Sequence, residues 1–206
     1  MGSRRILRDR TIPSVYGVGY MGNNFELKSS CNGKKCHVYD MWYRIIERCY
    51  SKKLHDRCPT YTDCYVSDDF KDYSKWRVWY DDYQYKHDGW QLDKDLLVKG
   101  NKVYSEDSCV FLPQEINSLL VKRTASRGEH LIGVHWCKTH KAFVAQVRKN
   151  KGKQEHLGFF NTELEAFNAY KVAKESFIKE QAEKWQSQID PRAYNALMKY
   201  AVGITD

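Results

Sequence analysis

The sequence contains little proline and no long apolar run. Only 4 of its 206 residues are proline, and no stretch approaches the roughly 20 consecutive apolar residues that cross a bilayer. No apolar segment follows the arginine-rich residues 1–10, so we expect no secretory signal. Because 42% of the residues are hydrophobic, we expect no long disordered stretches. The sequence therefore predicts a folded, cytoplasmic protein without a membrane partner.

Cysteine is present in an odd number, 7 in all, and its spacing is irregular. In a cytoplasmic protein we expect these thiols to be reduced. Two loose pairs stand out, Cys31 with Cys36 and Cys58 with Cys64. These four could form one structural zinc site, although neither pair has the two-residue spacing of common zinc motifs. The alternative is that they are buried or loop thiols without a metal.

Positive charge is concentrated in one part of the chain. The formal net charge is +8, and residues 121–160 contain nine Lys or Arg against two Asp or Glu. The same stretch contains four histidines, His130, His135, His140 and His156. Such a local excess is typical of a surface that binds nucleic-acid phosphates. The alternative is a solvated basic face with no partner.

The first half of the chain has patterns of two helices and of a strand–strand–helix unit. Apolar residues recur at helical spacing over 40–51, which predicts an amphipathic helix. Ser67 precedes two aspartates and an aromatic stripe, which predicts the start of a second helix. Further along we expect strands over 90–97 and 109–112, followed by a helix that begins at Pro113.

The second half predicts a three-stranded sheet and two helices. The strands are expected near residues 132–137, 142–148 and 154–160. Alternation in the middle strand predicts one face that packs against a helix, formed by Phe143, Ala145 and Val147. It predicts an opposite face formed by Val144, Gln146 and Arg148. Thr162 and Glu165 have the spacing of a capping box at a helix start, and Asp190-Pro191 predicts a C-terminal helix.

Residues 122–130 are polar and basic and are predicted to link two domains, 1–121 and 131–206. The second domain carries a recognisable run of motifs: Gly133-Val134-His135-Trp136, Lys141-Ala142-Phe143-Val144-Ala145-Gln146-Val147-Arg148, Leu157-Gly158-Phe159-Phe160 and Glu165-Ala166-Phe167-Asn168-Ala169-Tyr170. On these residues the segment 131–177 resembles the AP2 DNA-binding domain. The resemblance implies a three-stranded antiparallel sheet in the major groove of double-stranded DNA, with a helix packed behind it.

Matching positions in the AP2-like segment imply specific DNA contacts. Contacts to bases or phosphates are implied for His135, Gln146, Arg148 and His156. Contacts to phosphates are implied for Lys138, Lys141 and Lys153.

The segment from about 40 to 120 resembles the HNH (His-Me finger) nuclease unit of phage homing endonucleases. The residues that carry this resemblance are Trp42, Arg48-Cys49-Tyr50, Pro59-Thr60-Tyr61, Val66-Ser67-Asp68-Asp69-Phe70, Leu92-Asp93-Lys94-Asp95, Tyr104-Ser105, Cys109 and Asn117. The family holds one divalent metal on a ββα unit, where a histidine activates water. Lys94 stands at the position of that histidine, which makes the unit degenerate. The resemblance implies Asp93, Asp95 and Asn117 as ligands of Mg²⁺ or Mn²⁺, with Lys94 or His87 as the base.

Together these observations predict an α+β protein with a degenerate ββα-metal unit, an AP2-like sheet and helix, and a C-terminal helix. The leading hypothesis is a phage-like endonuclease, a hydrolase of DNA phosphodiester bonds that acts in the host cytoplasm. The main alternative is a catalytically degenerate DNA-binding protein, such as a regulator or an anti-defence factor. A third hypothesis is a protein-interaction module that uses the aromatic-rich first half. The oligomeric state is left open.

Overall fold

The computed structural model describes residues 9–121, 128–150 and 153–204. The fold is mixed α and β, as predicted, and its sheets are small. The chain divides into two compact units, one formed by Met1–Lys86 with Leu92–Val110 and the other by His87–Gln91 with Phe111–Asp206. The predicted domains, 1–121 and 131–206, and the linker 122–130 between them stay predictions. Most of the predicted linker, 122–127, lies outside the described residues.

Short strands and helices alternate in the first unit. The elements that lie wholly within it are β1 (Ser30–Cys31), β2 (Lys34–Lys35), α1 (His37–Tyr50), α2 (Lys52–Arg57), β3 (Tyr65–Val66), α3 (Asp68–Lys71), α4 (Tyr73–Asp82) and β5 (Val103–Tyr104). Strands β1 and β2 form an antiparallel pair, whereas β3 and β5 pair in parallel. Two further strands, β4 (Gln91–Asp93) and β6 (Val110–Leu112), each have residues in both units.

An aromatic core holds the first unit together. Helix α1 buries the apolar stripe that predicted it, which includes Trp42, Ile45 and Ile46 at 0–2% exposure. The indole N–H of Trp42 donates to the carbonyl oxygen of Phe70 at 2.7 Å and so ties α1 to α3. The ring of Phe70 meets the ring of Trp76 edge-on at 4.9 Å. The predicted aromatic stripe therefore belongs to the core.

The second predicted helix is in fact two helices. Ser67 begins it as expected, and its hydroxyl accepts the backbone N–H of Phe70. The helix then breaks at Asp72, which adopts an extended conformation and accepts the backbone N–H of Ser74 at 2.8 Å. Asp72 thereby caps a new helix, since an aspartate side chain competes with the helical backbone for hydrogen bonds.

The second unit contains a three-stranded antiparallel sheet. Its elements are α5 (Gln114–Leu120), β7 (Val134–Cys137), β8 (Ala142–Asn150), β9 (Lys153–Phe160), α6 (Glu163–Trp185) and α7 (Pro191–Met198). The strand order is β7-β8-β9. Helix α6 begins with the predicted capping box of Thr162 and Glu165. Helix α7 begins at the predicted proline, after the Asp190 cap.

The turn before β7 fits closely against α6. Gly133 has φ of +77°, a conformation that disfavours any residue with a Cβ atom. A Cβ at this position would also overlap the ring of Tyr170 on α6. Gly133 therefore fixes the distance between the sheet and its helix.

The helices of the described chain include none with the length and apolar character that a membrane span requires.

Candidate functional site

Strand β8 separates a buried face from an open one. Ala145 and Val147 are 0–1% exposed and pack against α6 residues such as Ala166 and Tyr170. Because successive side chains in a strand point to opposite faces, Gln146 and Arg148 lie on the face away from α6. Gln146 and Arg148 therefore point away from the helix, as the alternation predicted, and Arg148 is exposed.

A bulge decides which β9 residues share this face. Ala145 pairs with Gly158, but the next pair is Gln146 with His156, so Leu157 is the extra residue. The Leu157 side chain packs against the core on the α6 side. Since a bulge places two residues opposite one, it turns Leu157 inward while His156 remains opposite Gln146. Gly158, with φ of +135°, accommodates the irregular backbone.

We call the side of the sheet away from α6 the open face. Its members follow from the register of the three strands and include His135, Val144, Gln146, Arg148, Gln154, His156 and Phe159. Four predicted DNA-contacting residues are thus brought together on one surface: His135, Gln146, Arg148 and His156. Of these, Gln146 is half-buried and the other three are exposed.

Val144 differs from the expectation. It belongs to the open face by register, yet it is only 2% exposed. Its cross-strand partners are His135 on β7 and Phe159 on β9, which flank it on both sides. Val144 therefore lies beneath the side chains of its neighbours and is not accessible at the surface of this face.

The open face also carries a group of aromatic rings around Phe159, which the alternation pattern did not reveal. Phe159 is 48% exposed, and its ring centroid lies 4.3 Å from that of His140 and 4.9 Å from that of His156. The sequence could not place this group, because the bulge at Leu157 changes which β9 residues face outward. Exposed rings of this kind can contact bases through their faces or touch thymine methyl groups.

Cationic side chains border the open face. Lys138 and Lys141 are both exposed in the turn between β7 and β8, where Lys141 has φ of +48°. Lys149, by contrast, forms an ion pair with Glu155 at 2.7 Å. The side chain of Lys153 lies outside what the structure describes, as do Lys122, Arg123, Arg127 and Lys151. The structure therefore describes the side chains of four of the nine lysines and arginines in residues 121–160.

The proposed metal ligands of the first unit lie in a hydrogen-bonded loop after β4. One carboxylate oxygen of Asp93 accepts the backbone N–H groups of Asp95 at 2.8 Å and Leu96 at 2.7 Å. Burial raises the pKa of Asp93, and these two hydrogen bonds oppose the shift. The carboxylate thus acts as the cap of a tight turn.

Lys94 is enclosed by the same loop. Its side chain is 6% exposed, and its ammonium group donates to Asp95 Oδ1 at 2.6 Å and to the carbonyl oxygen of Asn101 at 2.7 Å. The Asn101 amide donates back to the Lys94 carbonyl oxygen at 2.8 Å. The ammonium also lies 5.6 Å from the centre of the Tyr104 ring. These contacts are those of a buried structural cation.

The other two predicted site residues belong to the second unit. Asn117 on α5 donates its side-chain N–H to the Gln91 side-chain oxygen. His87 is exposed, and its ring centroid lies 4.6 Å from that of Trp90. Among the described residues, no group of three or more His, Cys, Asp or Glu side chains could hold a metal ion. The metal ligands and the base stay predictions.

The cysteines of the predicted zinc site are described in part. Cys36 and Cys58 are half-buried and Cys64 is buried, and all three are free thiols. Nothing is described of the Cys31 side chain. The zinc site stays a prediction.

Comparison with known proteins yields no relative: no family model, no curated protein and no solved structure matches the chain.

Proposed function

We propose that this protein binds double-stranded DNA through the open face of its three-stranded sheet. The observation that carries the proposal is the alignment of Gln146, Arg148 and His156 on a solvent-facing sheet surface whose reverse side packs on α6. In this proposal the second unit is an AP2-like module, and its sheet enters the major groove, which is wide enough for strands.

The side chains of the open face suit the chemistry of base edges. Arginine can donate two hydrogen bonds to guanine, and glutamine can both donate to and accept from adenine. Arg148 and Gln146 would take these roles. Lys138 and Lys141 border the sheet at the β7–β8 turn, where they would contact phosphates and fix the register of the protein on the duplex.

For the first unit we propose a structural role without DNA cleavage, the catalytically degenerate alternative. Lys94 stands where the nuclease family has its base, and its ammonium group is held by Asp95 and Asn101. A divalent cation at Asp93 and Asp95 would share the carboxylates with two backbone N–H groups and an ammonium group, which already occupy one oxygen of each carboxylate. The local contacts therefore suit a closed loop better than an Mg²⁺ site.

Two assays on the purified protein test the two parts of the proposal separately. Fluorescence anisotropy with a labelled duplex measures binding by the parent, by Arg148→Ala and by the matched control Lys149→Ala, whose residue pairs with Glu155. We expect Arg148→Ala to bind more weakly and the control to bind like the parent. A plasmid assay with and without Mg²⁺ or Mn²⁺ measures cleavage. Robust metal-dependent cleavage, lost in Asp93→Ala, would restore the endonuclease hypothesis.

A further inference from the structure

A groove lies within the second unit, beside the open face of the sheet. Its volume is about 1160 Å³, and the residues that line it all belong to this unit. Helices α5 and α6 line part of it, and four open-face residues line another part: His135, Gln146, Arg148 and Gln154. A groove of this size has room for a small organic ligand. It is continuous with the surface that we propose binds DNA.

The side chain of Gln181 gives this groove an unpaired polar group. Gln181 lies on α6 and lines the groove, yet it is only 9% exposed. Its side-chain amide has no hydrogen-bond partner among the described residues. A buried amide without a partner is costly. A ligand that offers an acceptor and a donor side by side would satisfy both ends of the amide.

Two tryptophans form an aromatic wall close to this amide. Trp185 follows Gln181 by one helical turn, about 6 Å along the axis of α6, and both Trp185 and Trp90 line the groove. Their rings meet edge-on, with centroids 5.8 Å apart. The indole nitrogen of Trp185 is buried and has no hydrogen-bond partner within the described part of the chain. A flat aromatic ligand would contact these rings while its polar edge meets Gln181.

Basic side chains outnumber acidic ones around the groove. The basic residues are Arg148, Lys149, Lys174 and Lys184, and the acidic residues are Asp88 and Glu115. Lys184 and Glu115 pair with each other at 3.1 Å. Arg148 is exposed and forms no ion pair with any described residue. Since a guanidinium group binds phosphate with two parallel hydrogen bonds, the charge of the groove suits a ligand that carries a phosphate.

We propose that this groove binds a nucleotide, with the edge of the nucleobase at Gln181 and the phosphate toward the basic residues. A glutamine amide can donate to adenine and accept from it at the same time. Unstacked bases are commonly held against aromatic side chains. The nucleotide comes either from solution or from an unpaired position in DNA that the open face binds. Only the second source rests on the proposed function.

The test compares the parent with Gln181→Met, which removes the amide and keeps an unbranched side chain. Gln186→Met is the matched control, because Gln186 is exposed at the end of α6 and does not line the groove. Calorimetry measures binding of dAMP, and anisotropy measures binding of a labelled duplex with one extra, unpaired deoxyadenosine. We expect Gln181→Met to bind the ligand that uses the groove at least about fivefold more weakly. The control should bind like the parent. If Gln181→Met bound both ligands as the parent does, the proposal would be overturned.

The ligands also distinguish the two sources and separate this inference from the proposed function. A loss for dAMP identifies a site for free nucleotides, whereas a loss only for the duplex with the unpaired deoxyadenosine identifies DNA as the source. A fully paired duplex should bind equally to the parent and to Gln181→Met, because its bases stay stacked. If the parent failed to bind the paired duplex, the proposed function would be contradicted, and binding of dAMP would decide the groove.

A measurement on the parent alone keeps the test decisive even if Gln181→Met does not fold, which circular dichroism checks. In protein labelled with ¹⁵N-tryptophan, the indole N–H signal of Trp185 is identified by its loss in Trp185→Phe. This signal should shift when dAMP or the duplex with the unpaired deoxyadenosine is added, because Trp185 lines the groove. A signal that neither ligand moves would show that the groove does not bind a nucleotide.

Discussion

Gln146 on β8 lies opposite His156 on β9, and Leu157 is the bulged residue that makes this pairing possible. The bulge sends the Leu157 side chain toward α6 and keeps a polar pair on the open face. A one-residue shift in pairing exchanges the two faces of a strand. The bulge therefore determines that the side of the sheet away from α6 is polar near its centre.

Arg148→Ala is predicted to weaken DNA binding without a loss of stability. The side chain is exposed on the open face, so its removal should cost about 1–3 kcal/mol in binding free energy. The thermal midpoint should change little, since surface substitutions usually stay within about 0.5 kcal/mol. Anisotropy and thermal denaturation measure the two effects. A variant that unfolds early, while its folded fraction binds normally, would contradict the face assignment.

Gly133→Ala is predicted to destabilise the second unit by about 2–4 kcal/mol, through strain at positive φ and overlap with Tyr170. Gly128→Ala is the matched control, because no atom lies within 4 Å of a Cβ built there. Urea denaturation followed by far-ultraviolet circular dichroism measures both variants. Similar unfolding free energies for the two would show that the sheet and α6 do not meet at Gly133.

Lys94→Met is predicted to lower the unfolding free energy of the protein by about 1–3 kcal/mol. The substitution removes two hydrogen bonds and leaves the Asn101 carbonyl oxygen without its donor. Lys52→Met serves as the control, since Lys52 is exposed on α2. Chemical denaturation compares the two. If Lys94→Met kept parental stability but abolished a DNA cleavage activity of the parent, Lys94 would be catalytic.

Asp93→Asn is predicted to stabilise the protein at neutral pH. Burial raises the pKa of Asp93 in the folded state above its ordinary value of 3.8, so its stabilising contribution is full below that value and is lost as pH rises through the folded-state pKa. An asparagine oxygen can still accept both backbone N–H groups without this loss. The thermal midpoint of Asp93→Asn should exceed that of the parent at pH 7, and the difference should vanish near pH 3. If Asp93→Asn were less stable than the parent at pH 7, the raised pKa of Asp93 would be contradicted.

The sequence predicted the elements that depend on local signals. The capping box at Thr162 and Glu165 and the proline start of α7 are contained in a few adjacent residues, and both are confirmed. The parallel pairing of β3 with β5 was missed, because two strands of two residues each carry no periodic signal. The helix break at Asp72 was also missed, since an aspartate can either cap a new helix or continue an existing one, and the outcome depends on the backbone conformation.

For the open face, the sequence predicted which β8 side chains share a side of the strand, but not which of them are buried. Alternation placed Gln146 and Arg148 on one face correctly, because period two is a local property of a strand. It also placed Val144 on this face, but it did not predict the burial of Val144, which depends on Phe159 across the sheet. The loop around Lys94 was also beyond local patterns, because its ammonium group binds Asn101, seven residues further along the chain.

The salt dependence of duplex binding tests the central proposal most directly. The affinity of the full-length protein for a labelled duplex is measured by anisotropy between about 50 and 300 mM salt. If about five lysines and arginines contact phosphates, a plot of log affinity against log salt should have a slope near −4 to −5. No binding at low salt, or a slope near zero, would contradict the proposal that the open face and its basic border bind DNA.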